Sequence, residues 1–139
     1  MPVHFEPAEM EIRRHRVSER LSGLRLDGLL MFKQESMYYL TGYDTFGFSM
    51  FQCLIIDGSG NTTLLTRLPD LRQAQFTSDI QDIRLWHDTE GVNPTSELRD
   101  LLDDLGYRNK TLGIEFDSYG LKAHYWRLLE PQLDGFCRL

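Results

Sequence analysis

Residues 50–66 read Met50-Phe51-Gln52-Cys53-Leu54-Ile55-Ile56-Asp57-Gly58-Ser59-Gly60-Asn61-Thr62-Thr63-Leu64-Leu65-Thr66. Met50–Ile56 is an apolar run of strand length, and Asp57 to Asn61 is a concentrated turn signal. Thr62–Thr66 returns as a second arm, so this stretch predicts an antiparallel hairpin.

On its N-terminal side the spacing of Met10, Val17, Leu21 and Leu24 predicts a helix from Pro7 to Ser22. Pro7 suits the first turn, and Gly23 is expected to end it. Gly28–Phe32 follows as a buried strand. A short helix over Glu35–Leu40 is expected to stop at Gly42.

On the C-terminal side Pro69 favours a helix start that continues through Leu71, Ala74 and Gln75. Ile80, Ile83 and Leu85 fit a less regular strand. Asn93 is placed to cap the next helix, with Pro94 in its first turn. Leu98, Leu101, Leu102 and Leu105 recur at i, i+3, i+4, i+7, and Gly106 closes the pattern. Thr111–Phe116 reads as a strand, with Asp117-Ser118 as the cap of a last helix. That helix carries Leu121, Tyr125, Leu128 and Leu129 and is expected to stop at Pro131. Gly135–Leu139 reads as the start of a further strand, which predicts a polypeptide that continues or a chain cut at a domain edge. Helices alternate with strands around one hairpin, so the pattern predicts a mixed sheet covered by helices, formed as one domain over residues 1–139. No internal repeat, low-complexity tract or linker interrupts it.

The formal charge of -6 argues against nucleic acid as a partner. Arg13, Arg14 and Arg16 alternate with Glu9, Glu11 and Glu19, which reads as a solvated helix face of mixed charge. No stretch approaches the roughly 18 apolar residues needed to span a bilayer, and Met1 to Met10 does not read as a signal peptide. Cys53 and Cys137 lie in apolar segments and read most simply as buried thiols in a reducing cytoplasm, although a disulfide is compatible with the sequence.

Chemistry is sparse. His4, His15, His87 and His124 fall in no zinc-type spacing, and His87-Asp88 alone makes a poor metal site. There is no G-x-S-x-G elbow and no phosphate loop. Glu115 and Asp117, flanking Phe116 at a strand end, are the one carboxylate pair placed to hold Mg²⁺, which would suit a nuclease. The competing reading makes Asp117 a helix cap. No catalytic residue and no metal ligand is therefore assigned to this chain.

The unusual feature is aromatic. Tyr38, Tyr39, Tyr43, Phe46, Phe48 and Phe51 crowd together, with Met37 and Met50 among them. Of Tyr38 and Tyr39, one is expected to face inward, and Phe51 to sit inside a strand. Gly42 and Gly47 bracket Tyr43 and Phe46, which suggests a loop free to project and pivot. A projecting aromatic loop suits the covering of another protein's pocket.

Several segments together resemble the N-terminal domain of the creatinase/prolidase family. They are the opening helix with Arg13 and Arg20, then Leu26-Asp27-Gly28-Leu29-Leu30, Tyr38-Tyr39-Leu40-Thr41-Gly42-Tyr43, the hairpin, and Leu112-Gly113-Ile114-Glu115-Phe116-Asp117. The segments Glu35–Phe48 and Glu115–Leu121 look most like the ectoine hydrolase branch, with creatinase a close relative. The resemblance implies a ribonuclease-H-like mixed sheet with helices on both faces. It also implies a larger catalytic domain beyond residue 139, where two Asp, one His and two Glu hold a divalent metal pair in the peptidases, while creatinase works without metal.

In family dimers the loop after this Tyr-Leu-Thr-Gly-Tyr segment reaches the partner subunit's active site. Carried onto this chain, the resemblance makes Tyr43, Asp44, Phe46 and Phe48 a substrate-pocket loop acting in trans. Creatinase has Phe-Gly-Arg there, and its Arg grips the substrate carboxylate. Phe46-Gly47-Phe48 lacks that clamp and implies a more apolar wall. The expected function is a non-catalytic domain of a dimeric, cytoplasmic C–N hydrolase acting on an Xaa-Pro peptide, ectoine or a related small zwitterion. Its partners would be its own catalytic domain and a second subunit. The alternative is a free-standing binding or oligomerisation module. Neither a cofactor in this chain nor a membrane partner is expected.

Overall fold

The computed structural model describes residues 5–139; His4 and the start of the Met1–Met10 segment lie outside them. The hairpin forms where its sequence places it. β2 (Cys53–Asp57) pairs antiparallel with β3 (Thr62–Arg67), Cys53 opposite Leu65 and Ile56 opposite Thr62. The Asp57 carboxylate closes the turn by accepting the backbone N–H groups of Ser59 and Asn61, both at 2.9 Å.

β1 (Gly28–Met31) pairs antiparallel with β2 on one side and parallel with β5 (Leu112–Ile114) on the other. β4 (Asp82–Trp86) extends the far edge parallel to β3, giving the order β4-β3-β2-β1-β5. The meander β1-β2-β3 with β5 parallel to β1 is the ribonuclease-H-like arrangement. Beyond β5, Arg138 makes a single parallel bridge to Thr111, and Gly135–Leu139 forms that bridge in place of the expected strand.

Five α-helices cover the sheet: α1 (Pro7–Gly23), α2 (Gln34–Thr41), α3 (Leu71–Thr77), α4 (Pro94–Asp104) and α5 (Ala123–Leu133). A short 3-10 turn, Leu68–Asp70, precedes α3. Alternation along β2 divides the core. Cys53 and Ile55 join Leu98, Leu102 and Leu129 against α4 and α5. Leu54 and Ile56 join Leu21, Met37 and Ala74 against α1, α2 and α3.

The ends of α4 follow the sequence. The Asn93 side chain accepts the Thr95 N–H at 3.0 Å, and Gly106 takes φ 87°. Other ends depart from it. α1 runs through Gly23, and Arg25 (φ 58°) takes the left-handed position. The Leu26 N–H reaches the Leu21 carbonyl at 2.9 Å, so a Schellman closure pulls in a non-glycine residue. Asp117-Ser118 caps no helix: the Ser118 hydroxyl accepts the Gly120 N–H at 3.0 Å in a local turn, and α5 begins at Ala123. Leu121 is buried ahead of that helix. Pro131 lies within α5, which continues to Leu133. In the last turn a proline forfeits only its own bond, to the carbonyl of Arg127, and Arg127 is exposed.

Phe51 is fully buried but precedes β2 rather than lying within it. Neither Tyr38 nor Tyr39 is buried. Met37 and Leu40 take the inward positions of α2.

Candidate functional site

α2 aims the aromatic loop, and it is held at both ends. At its start the Glu115 carboxylate accepts the N–H groups of Phe32 (3.1 Å) and Lys33 (2.7 Å) and the Ser36 hydroxyl (2.5 Å). A carboxylate there satisfies orphan donors and complements the positive end of the helix. At its finish Arg13 donates to the Tyr39 carbonyl (2.8 Å) and Arg14 to the Leu40 carbonyl (3.0 Å), while Arg14 also pairs with Asp79 at 2.9 Å. Arg13 is further flanked by the rings of Phe5 and Tyr39, 4.3 and 4.4 Å from its guanidinium carbon. Arg13 and Arg14 are thus half-buried helix-end ligands, not the solvated charge pattern their spacing suggests. Arg16 remains exposed.

The loop after α2 alternates between two environments. Gly42 turns the chain at φ 83°, and a Cβ there would stand 2.7 Å from the Thr77 carbonyl. Tyr43 is completely enclosed. Its hydroxyl donates to Gln52 Oε1 at 2.8 Å and lies 3.3 Å from the Thr66 hydroxyl, while its carbonyl accepts from Gln34 at 2.7 Å. Burial lifts its phenol from 10.0 to about 12. Tyr43 therefore packs in this chain's own core, unlike Asp44, Phe46 and Phe48, with which it was expected to form the pocket loop.

Thr45 is buried next, donating to Asp70 Oδ1 at 2.7 Å and accepting the Gly47 N–H at 3.0 Å. Gly47 lies so close to Asp70 that a Cβ would fall 2.5 Å from its Oδ1. Arg67 holds the other side of that carboxylate at 3.2 Å. Both glycines fix the loop by close packing and do not act as pivots. Asp44, Phe46 and Phe48 point outward: Phe46 is 90% exposed and Phe48 46%. Phe48 meets the ring of Tyr119 edge-on at 5.8 Å, and the Tyr119 hydroxyl bonds Glu35. Of the four pocket-loop candidates, three face solvent together and one does not.

Comparison with known proteins gives the family and the fold. The model of the creatinase/prolidase N-terminal domain matches residues 13–135. This chain belongs to that family. The ectoine hydrolase of Halomonas elongata is 26% identical over 136 residues, covering 93% of this chain and 34% of the relative. An uncharacterized hydrolase/peptidase of Sinorhizobium fredii is 27% identical over 124 residues, 84% and 32% of the two chains. This creatinase/prolidase domain spans about a third of the length of those relatives. A solved Xaa-Pro aminopeptidase structure from Streptococcus pyogenes superposes with TM-score 0.72 at 19% identity, covering 96% of this chain and 92% of its own. A prolidase from Thermococcus sibiricus gives TM-score 0.72 at 17% identity, covering 91% of this chain and 33% of its own. These two likenesses speak for the fold.

The remaining candidates in the domain are scattered. Among the described residues no three His, Cys, Asp or Glu side chains converge as a metal site. Glu115 is committed to α2, and Asp117 is exposed. The described residues therefore offer no ligand set for a divalent metal pair. His15, His87 and His124 are exposed. Cys53 is buried and Cys137 half-buried; both are free, and burial pushes both thiols up. No described helix is long and apolar enough to cross a membrane.

The sequence reading missed Thr45, Gln52, Thr66, Arg67 and Asp70. Hydroxyl and amide residues scattered over a loop and a strand carry no periodic signal. Only the contact of Gly47 with Asp70 gives that glycine its meaning.

Proposed function

We propose that this domain is the substrate-gating part of a larger hydrolase of C–N bonds, and that Asp44, Phe46 and Phe48 wall the pocket of a second subunit. The reaction belongs to a catalytic domain following this one, which would carry the divalent metals. The observation that carries the reading is the exposure of Phe46 on a loop whose neighbouring residues, Thr45 and Gly47, are buried. A large apolar ring held in water by a fixed backbone has no role in its own fold and suits a pocket in another chain. Phe48 in place of a guanidinium makes that wall apolar, which suits a proline ring or a small cyclic zwitterion over a substrate held by its carboxylate at this point. Two free thiols fit a cytoplasmic setting.

The test is Phe46→Ala in the full-length enzyme, assayed against Xaa-Pro dipeptides and ectoine. We expect kcat/KM to fall about tenfold or more with metal content unchanged. Wild-type kinetics on a substrate the enzyme turns over would refute the gating role.

A further inference from the structure

We infer that Asp70 is the positioning residue of the aromatic loop: its buried carboxylate sets the loop's shape by holding Thr45, Gly47 and Arg67 at once. Asp70 lies at the end of the turn between β3 and α3, far from the loop in sequence, and is 6% exposed. Oδ1 accepts the Thr45 hydroxyl at 2.7 Å. Oδ2 faces Arg67, with Nε at 3.3 Å and the terminal nitrogen at 3.2 Å. The same two oxygens press on Gly47, where an added Cβ would fall 2.5 and 2.7 Å from them. One carboxylate thus touches the residues on both sides of Phe46 and links them to β3.

Burying a carboxylate is costly unless it is fully paired, so a small surface loop does not acquire one by default. Here both oxygens are paired: Oδ1 with Thr45 of the loop, and Oδ2 with two nitrogens of Arg67. Thr45 relays it, passing the hold to the Gly47 N–H at 3.0 Å. Phe46 itself is 90% exposed, so packing of its ring does little to fix it. Its direction comes from the two anchored neighbours. For its kinetic consequence only, this role rests on the gating reading above.

The test combines hydrogen–deuterium exchange with kinetics on the full-length polypeptide. Asp70→Ala should raise exchange across residues 44–49 about tenfold, because the buried Thr45 hydroxyl loses its acceptor. Exchange in β2 and α4 should stay as in the wild type. Asp70→Asn retains an acceptor for Thr45 and should restore most of the protection. Should Asp70→Ala fail to fold, Thr45→Val removes the same link from the loop side and should loosen the same residues.

An unchanged loop, or an equal rise in β2 and α4, overturns the positioning role. In the kinetic arm, Asp70→Ala should lower kcat/KM as Phe46→Ala does, and the double variant should be no worse than the poorer single one. Fully additive losses would mean that Asp70 acts by another route and would also overturn it. A loosened loop with normal kinetics in both single variants leaves the positioning role standing and removes the gating function.

Discussion

The two faces of the sheet are closed by different chemistry. Against α4 and α5 the packing is chiefly apolar: Phe51 sits among Phe32, Trp86 and Tyr125, with ring centroids 5.8, 6.4 and 5.0 Å away. Against α1, α2 and α3 the apolar core gives way, beneath the aromatic loop, to a buried net of Tyr43, Gln52 and Thr66, with Thr45 and Asp70 beside it. Apolar packing is non-directional and tolerates small shifts, whereas a buried hydrogen-bond net fixes one arrangement. The first face supplies stability. The second spends directional bonds on the shape of a surface loop.

The largest effect should come from the apolar face. Phe51→Ala should cost about 3–5 kcal/mol in urea unfolding, since it removes a fully buried ring and leaves a cavity. A loss near 1 kcal/mol would mean that this face is not the main source of stability.

Next come the held ends of α2. Glu115→Ala strands the N–H groups of Phe32 and Lys33 and should cost about 1–3 kcal/mol. Asp117→Ala, two residues on and exposed, should change the urea midpoint little. Equal costs for the two would show that general charge, and not the specific hold on α2, is what counts.

Tyr43→Phe is a smaller change, about 1 kcal/mol near neutral pH, because Thr66 still donates to Gln52 Oε1 at 3.1 Å. Its signature is the pH dependence. Burial raises the folded-state pKa from 10.0 to about 12, so the neutral phenol is favoured in the fold. That contribution is fully present below pH 10 and is lost as pH rises through 12. Tyr107, beside the other face, is lifted to about 12 by its own burial. Wild-type stability should therefore fall across this window. Tyr43→Phe should flatten part of the fall and Tyr107→Phe another part, as measured by urea midpoints at stepped alkaline pH. An unchanged slope in Tyr43→Phe would mean that water reaches its hydroxyl.

The same contrast explains what could be read from sequence. The apolar face announces itself, because Leu98, Leu101 and Leu102 recur at helical spacing and Cys53 to Ile56 of β2 are all apolar. The hairpin, the Asn93 cap and the Gly106 stop are local chemistry and were legible for that reason. The loop face depends on contacts between residues far apart in the chain. Asp117, adjacent to an expected helix, reads as its cap, while Glu115 holds the start of α2 from the end of the neighbouring strand β5. Tyr43 and Phe46 looked alike in sequence. Only the tertiary fold decides that one is sealed and the other stands in water. The candidate site was therefore legible as a segment, and its buried anchors were not.

The smallest expected change in stability belongs to the residue expected to matter most for activity. Phe46→Ala should move the urea midpoint by no more than about 0.5 kcal/mol, because its ring is 90% exposed and leaves no cavity. Five positions on, Phe51→Ala should be ruinous by the same measure. A phenylalanine that can be removed without harm to the fold gains nothing for the fold by being there. Its exposure is a standing solubility cost unless a partner covers it. If Phe46→Ala instead lowers the midpoint by more than about 1 kcal/mol, the ring packs on its own domain in solution, and the contrast between a stabilising face and a face that displays a loop collapses.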